Sequence, residues 1–306
     1  MKESRFFPAV ELLLKLLPVV ARQELFALKG GTAINLFYRD MPRLSVDIDL
    51  IYLPVEDRKT SLSNITLSME TIRKDAERLI RGITVQEHRV KENGGTITRL
   101  IVRDEKALVK VEPNTILRGT VYPTEKRIIG DKVKATFRTS FAVKCASFAD
   151  LYGGKICAAL DRQHPRDLFD IKILLEHEGI TDKIRKAFVV YLISHNRPMD
   201  ELLQPNLIDQ REIFETEFRT MTEMEISYDE LEEARKKLIS LIQKTLTRRE
   251  RGFILSIAEG EPDWSALDFQ HLEKLPAIQW KLQNVRRMEE KKRKAACRNL
   301  CKILDL

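Results

Sequence analysis

Leu25-Phe26-Ala27-Leu28-Lys29-Gly30-Gly31-Thr32, followed after a short helix-compatible stretch by Val46-Asp47-Ile48-Asp49-Leu50-Ile51-Tyr52, is the passage on which the fold turns. Leu25 to Leu28 is an apolar run stopped by Lys29-Gly30-Gly31, so it reads as a short strand ending in a glycine turn. Thr32 to Tyr38 has helical composition and ends before Met41-Pro42, because proline disfavours helix at the residue preceding it. Residues 46–52 then alternate, with Val, Ile and Leu on one face and Asp47 and Asp49 on the other.

This order has a chemical logic when turn and carboxylates face one substrate. Backbone N–H groups of a glycine turn at a helix start approach phosphate oxygens with no Cβ in the way, and the helix dipole favours the anion. Gly30, Gly31 and Thr32 are the phosphate-binding candidates, Thr32 through its hydroxyl. Asp47 and Asp49 project together and can share a hard cation such as Mg²⁺. Two such ions would clamp the attacking and leaving oxygens of a phosphoryl or nucleotidyl transfer. Singly, a Gly-Gly turn is common and an Asp-x-Asp is often only the wet face of an edge strand. Glu112, ending Val109-Lys110-Val111-Glu112, is a candidate third metal ligand or else an exposed strand-end residue.

Around this nucleus, Phe7 to Leu25 has helical spacing, as does Ser63 to Arg81, with Gly82 just past its end. Thr96 to Val102 and Ala107 to Glu112 read as a hairpin turning at Asp104-Glu105-Lys106, and 117–137 reads as irregular or extended. From Ser147 the period is helical, with helices expected near 147–162, 165–178, 181–194, 228–251 and 266–302. The expectation is an α+β chain with a mixed-sheet domain over 1–140 and a mostly helical domain over 141–306.

The second informative block runs from Asp150 to Asp170. Lys155 and Arg162 fall within about 20° of each other on one helix face, so both can point at one anion, and a triphosphate suits the pair. Ser147 and Asp150 fit a capping box, and Pro165 suits the first position of the next helix, which puts Asp167 in a first turn where the dipole favours an acid. Those two aspartates therefore read as structural, with a functional role as the alternative. His164, before the proline, reads as a cap. Asp170 lies one turn further, where capping no longer explains it.

Lys29-Gly30-Gly31-Thr32-Ala33 with Arg43-Leu44-Ser45-Val46-Asp47-Ile48-Asp49-Leu50 resembles the first motif of the AbiEii/AbiGii-type nucleotidyltransferase toxins, a bacterial family that includes the mycobacterial MenT enzymes. The family lies in the DNA polymerase β-like nucleotidyltransferase superfamily. Asp150…Lys155…Ala158 and Arg166-Asp167-Leu168-Phe169-Asp170 resemble its D-x-x-x-x-K-x-x-A and R-D-x-x-D helices. The resemblance implies a polymerase β-like core, metal binding by Asp47 and Asp49, phosphate binding by Gly30, Gly31, Thr32 and Lys155, and an essential acid at Asp170. Gly153-Gly154 departs from the family, which more often has alanine or another helix former there. Glycine costs about 1 kcal/mol per residue relative to alanine within a helix.

The composition, 43% hydrophobic and 32% charged, excludes collagen-like, low-complexity and wholly disordered chains. The apolar stretch Val10 to Ala21 is broken by Glu11, Lys15 and Pro18, so neither a signal sequence nor a spanning helix is expected, and the cytoplasm is the expected location. Cys145, Cys157, Cys297 and Cys301 form no C-x-x-C pair and read as reduced thiols. Lys281 to Lys302 holds nine Lys and Arg against Glu289 and Glu290, an excess equal to the +7 of the whole chain. Such a segment suits a nucleic acid, or is a solvated helix face. Trp264 and Trp280 read as core residues or as stacking platforms for RNA.

Together these readings predict a Mg²⁺-dependent nucleotidyltransferase that transfers a nucleotide from an NTP to an RNA 3′ hydroxyl. The resemblance adds a toxin–antitoxin or abortive-infection role, a tRNA acceptor and an antitoxin partner. The alternatives are the same fold acting on a small-molecule or protein hydroxyl, and a non-catalytic NTP- or RNA-binding module.

Overall fold

The computed structural model describes residues 3–90, 95–269 and 271–306. They fold into two compact units, one gathering Met1–Leu151 with Glu217–Glu225, the other Tyr152–Thr216 with Ile226–Leu306.

The first unit is a seven-stranded mixed sheet with helices. Its strands are β1 (Phe26–Lys29), β2 (Asp47–Tyr52), β3 (Thr84–Val90), β4 (Thr96–Arg103), β5 (Leu108–Arg118), β6 (Glu125–Ile128) and β7 (Ala142–Cys145), in the order β3-β4-β5-β2-β1-β7-β6. β2 runs parallel to β5 and β1 parallel to β7, while the remaining pairs are antiparallel. The expected β4–β5 hairpin forms because the Asp104 carboxylate accepts the backbone N–H groups of Lys106 and Ala107, each at 2.8 Å.

Helix α1 (Phe7–Val20) starts with Pro8 in its first turn, and α3 (Arg58–Leu79) is capped by Asp57, which accepts Thr60 N–H at 3.0 Å. The two helices touch, α1 covering β2, β5 and β7 and α3 covering β3 to β5. Leu50 of β2 meets Leu17 and Val20 of α1 around one small cavity, and Ile48, two residues back, is wholly buried. Strand alternation therefore turns Asp47 and Asp49 to the opposite face, where both are only half-buried.

Three expectations change. β3 lies outside any strand foreseen above, because an edge strand with charged, largely exposed side chains lacks a buried face and so lacks the apolar alternation that marks strands. The stretch 117–137 contains the end of β5, β6 and helix α4 (Asp131–Phe137). The glycine turn opens directly into the short helix α2 (Gly30–Ala33), continued by a π-turn over Ile34–Tyr38.

The second unit is helical: α5 (Phe148–Asp161, whose first turn lies in the first unit), α6 (Pro165–His177), α7 (Asp182–Ser194), α8 (Met199–Leu203), α9 (Arg211–Ile213), α10 (Tyr228–Thr245), α11 (Arg248–Glu259), α12 (Pro276–Arg287) and α13 (Glu290–Leu304). Two single helices expected from periodicity are each divided. The 228–251 helix breaks at Leu246-Thr247, where Thr247 and Glu250 form a reciprocal capping box that starts α11. The 266–302 stretch, which includes residue 270 outside the described residues, contains a 3₁₀ turn at Leu272–Lys274, then α12 starting at Pro276, then α13 after a break at Met288-Glu289. No helix among the described residues is long and apolar enough to cross a membrane.

Candidate active site

In the first unit the chain leaves β1 at Lys29 and turns at Gly30 with φ +71°, a left-handed conformation that only glycine adopts without strain. A Cβ there would also collide with the Asp49 carboxylate. Gly30 is thus required twice, for the turn and for room beside the acid. At Gly31 a Cβ would stand 2.8 Å from Arg43 Nη2 and 3.1 Å from Ser45 Oγ. Arg43 is buried and donates through Nη1 to the Leu44 carbonyl at 2.8 Å.

The Thr32 hydroxyl donates to the Asp47 carbonyl at 2.5 Å and lies 2.9 Å from Ser45 Oγ, while Asn35 Nδ2 donates to the Gly31 carbonyl at 2.9 Å. Thr32 is fully buried and its hydroxyl proton is given to the Asp47 carbonyl, so it fastens the glycine turn to the start of β2 instead of donating to phosphate as the sequence reading expects. Arg43 and Ser45 are the residues that sequence reasoning left without a role. The only signal was their place in the Arg-x-Ser-x-Asp-x-Asp run, and burial beneath the turn is what gives it meaning.

Asp49 lies in register with Lys29 on β1 and Glu112 on β5, and Asp47 with Lys110. Glu112 itself is paired with Arg99 Nε on β4. Among the described residues no three His, Cys, Asp or Glu side chains gather as a metal-ligand group. The pair Asp47 and Asp49 nevertheless fits a hard divalent cation. Its two carboxylates belong to residues two apart on one half-exposed strand face, and the missing Cβ of Gly30 lets the Asp49 carboxylate lie directly against the glycine turn.

The second unit holds another constellation. Lys155 Nζ on α5 lies 2.8 Å from Asp167 Oδ1 and 3.0 Å from Asp170 Oδ2 on α6, and Arg162 Nε lies 2.5 Å from Asp167 Oδ2. Lys155 is 7% exposed, Asp167 1% and Asp170 2%, whereas the Arg162 side chain remains 60% exposed. Lys155 and Arg162 do converge on one anion, as their helical spacing predicts, and that anion is the Asp167 carboxylate. Burial alone would raise the Asp167 pKa, but the Lys155 ammonium and the Arg162 guanidinium outweigh it and hold the carboxyl well below the usual range.

Close packing explains the two glycines before Lys155. A Cβ on Gly153 would lie 2.8 Å from the Ala187 carbonyl carbon and 2.9 Å from Phe188 N, so α5 seats directly on the backbone of α7. On Gly154 it would lie 3.3 Å from the Tyr191 ring.

Asp150 and His164 have structural partners. Asp150 accepts the buried N–H of Val121 at 2.8 Å, the part-buried N–H of Tyr122 at 3.0 Å and a bond from Ser147 Oγ at 2.7 Å, and His164 Nδ1 accepts Arg166 N–H at 3.1 Å as the α6 cap. All four cysteines are free, and burial pushes the Cys145 thiol up to about 12.

A mixed-sheet unit with a glycine turn against paired strand carboxylates, continuing into helices that carry Lys155 and Asp170, is matched by a family profile. The model described as "Nucleotidyl transferase AbiEii toxin, Type IV TA system" matches residues 11–284. The chain belongs to the AbiEii nucleotidyltransferase toxin family. AbiEii membership makes it a nucleotidyltransferase associated with a type IV toxin–antitoxin system. Among solved structures, the nucleotidyltransferase toxin MenT4 from Mycobacterium tuberculosis H37Rv superposes with a TM-score of 0.60 at 16% identity, over 92% of this chain and 94% of that one. At that identity the likeness is one of fold alone. No curated protein sequence matches.

Proposed function

We propose that this AbiEii chain transfers a nucleotide from an NTP to the 3′ hydroxyl of an RNA, with the tRNA acceptor end as the preferred acceptor, and that it does so with Mg²⁺. The observation that carries the reading is the pair Asp47 and Asp49, half-exposed on the face of β2 away from α1 and set against the Gly30-Gly31 turn. In this proposal Asp47 and Asp49 hold the metal, and Glu112, turned toward Arg99, supports the site from the next strand. When bound, the cation neutralises charge on the phosphate oxygens.

The backbone of Gly30 and Gly31 receives phosphate, with Thr32, Asn35, Arg43 and Ser45 holding the turn in shape. In the second unit, Lys155 and Arg162 are assigned to phosphate charge, and Asp170 to the proton of the acceptor hydroxyl. The exposed cations of α12 and α13, among them Arg286, Arg287, Lys291, Lys294 and Arg298, favour a nucleic-acid acceptor over a small molecule. A cognate antitoxin is a proposed partner, in line with the type IV system of the family.

The test is incubation of the purified chain with total tRNA, Mg²⁺ and each α-labelled NTP in turn, beside Asp49→Ala and Asp170→Asn proteins. Label entering RNA from an NTP, lost in both variants, is the expected result. Labelling of protein or a small molecule instead overturns the RNA acceptor, and no labelling despite measurable NTP binding overturns the catalytic reading in favour of a binding module.

A further inference from the structure

Arg118, the last residue of β5, is 6% exposed, yet its Nε and Nη1 have no hydrogen-bond partner among the described residues. Three of the five guanidinium donors are therefore unmet in a place that water reaches poorly. A buried charge in that condition is the situation that native structures avoid, and each instance calls for a reason.

The surroundings show why no group among the described residues answers it. Arg118 pairs in register with Tyr52, at the far end of β2 from the aspartates, and the Gly119 N–H donates to the Tyr52 carbonyl at 2.8 Å. The nearby carboxylates are engaged elsewhere. Glu56 accepts from the Tyr52 hydroxyl at 2.6 Å and from Asn64 Nδ2 at 3.1 Å, and Asp57 caps α3 through Thr60. Arg58, the first residue of the 22-residue helix α3, adds a second guanidinium whose charge bears on Arg118. Burial, and then this like charge, depress the Arg118 pKa, while Glu56, Tyr52 and Asp57 oppose them only in part. Two arginines thus gather at the start of a long helix, the buried one with donors to spare.

We propose that Arg118 and Arg58, at the start of α3, form an anion site that takes a phosphate group, separate from the Gly30-Gly31 turn. Asp49 and Tyr52 are three strand residues apart, about 10 Å of β2, so one phosphate cannot serve both places. A tetrahedral oxyanion suits the site better than a carbonyl, because its several oxygens can accept from unmet donors on different nitrogens. Entry is by way of the irregular residues 53–57 between β2 and α3, where Val55 and Asp57 are exposed.

The experiment follows the Arg118 Nε–H resonance in arginine-edited NMR spectra of the full chain, assigned by its absence in Arg118→Lys. Inorganic phosphate and a short oligoribonucleotide are titrated separately at constant ionic strength. A saturable shift is expected, weakened about fivefold by Arg58→Gln, the size of effect that one exposed ion pair supplies. A tighter response to the oligoribonucleotide, per phosphate, assigns the site to nucleic-acid backbone; an equal or weaker one assigns it to free phosphate. No movement with either probe into the tens of millimolar overturns the site and leaves a guanidinium met by buried water. An undiminished response in Arg58→Gln overturns the two-arginine arrangement. Arg58 is exposed, so that variant is expected to fold even where an Arg118 substitution does not.

Discussion

Replacing Gly153 by alanine sets two effects of similar size against each other, and the geometry decides between them. Alanine is favoured over glycine inside a helix by about 1 kcal/mol. The added Cβ, however, would stand 2.8 Å from the Ala187 carbonyl carbon and 2.9 Å from both Ala187 Cβ and Phe188 N, where carbon contacts ordinarily sit at about 3.5–4.0 Å. The obstacle is mostly backbone, so α5 and α7 must part by several tenths of an ångström. Overpacking of that kind costs about 1–3 kcal/mol, and the net expectation is a loss of roughly 1 kcal/mol. Gly252 is the control. It lies exposed within α11 with nothing within 4 Å of its added Cβ, so Gly252→Ala should gain nearly the full propensity term, about 0.8–1 kcal/mol. Urea unfolding midpoints with matched m-values, and melting temperatures moving in opposite directions by about 2–4 °C per kcal/mol, measure both. Because Lys155 is two residues on, Gly153→Ala should also lower turnover more than its stability loss explains. A Gly153→Ala protein that melts at or above the parent temperature would refute the close-packing argument.

Lys155→Met removes the cation shared by two buried carboxylates and should cost about 3–5 kcal/mol in denaturant unfolding, so activity of such a variant has to be normalised to its folded fraction. The Asp167 carboxyl titrates below its unfolded value of about 3.9, so its stabilisation is complete above about pH 4 and fades as pH falls toward the folded pKa. Asp167→Asn should therefore be less stable at neutral pH yet lose less on further acidification than the parent, and parallel acid limbs would contradict this. Glu112→Gln should keep activity within about tenfold because Glu112 is turned toward Arg99, whereas Asp49→Ala should lose more than about a thousandfold in initial rate. Equal losses in the two would make Glu112 a direct ligand. Asp150→Ala strands the N–H groups of Val121 and Tyr122 and should destabilise by about 2–4 kcal/mol in thermal unfolding.

What was legible in the sequence follows the range of the forces involved. Gly30-Gly31, the Asp47/Asp49 alternation, the hairpin at Asp104 and the His164-Pro165 helix start are set by neighbours a few residues away, and each could be read from its own stretch. So could the shared face of Lys155 and Arg162, since helix geometry alone aligns them. The capping box Thr247-x-x-Glu250 was equally local, and it marks the break between α10 and α11 that apolar periodicity hides, because the period continues across it.

Other features were decided by packing between distant segments. β3 carries no burial signal of its own and exists because β4 offers it a ladder. Glu217–Glu225 joins the first unit, where Met221 O accepts Leu44 N–H at 2.7 Å and Thr222 Oγ1 donates to the Pro42 carbonyl at 2.9 Å. Nothing local marks that return. Asp167 became the partner of Lys155 only when α6 folded against α5, and the roles of Arg43 under the glycine turn and of Arg118 at the end of β5 rest on burial. The sequence by itself determined which chemistry-bearing residues share a strand face or a helix face, because dihedral preferences and periodicity act along the chain. Only the tertiary structure decided which charges are neutralised and which are left with donors unmet, because desolvation and ion pairing depend on what the rest of the chain brings alongside.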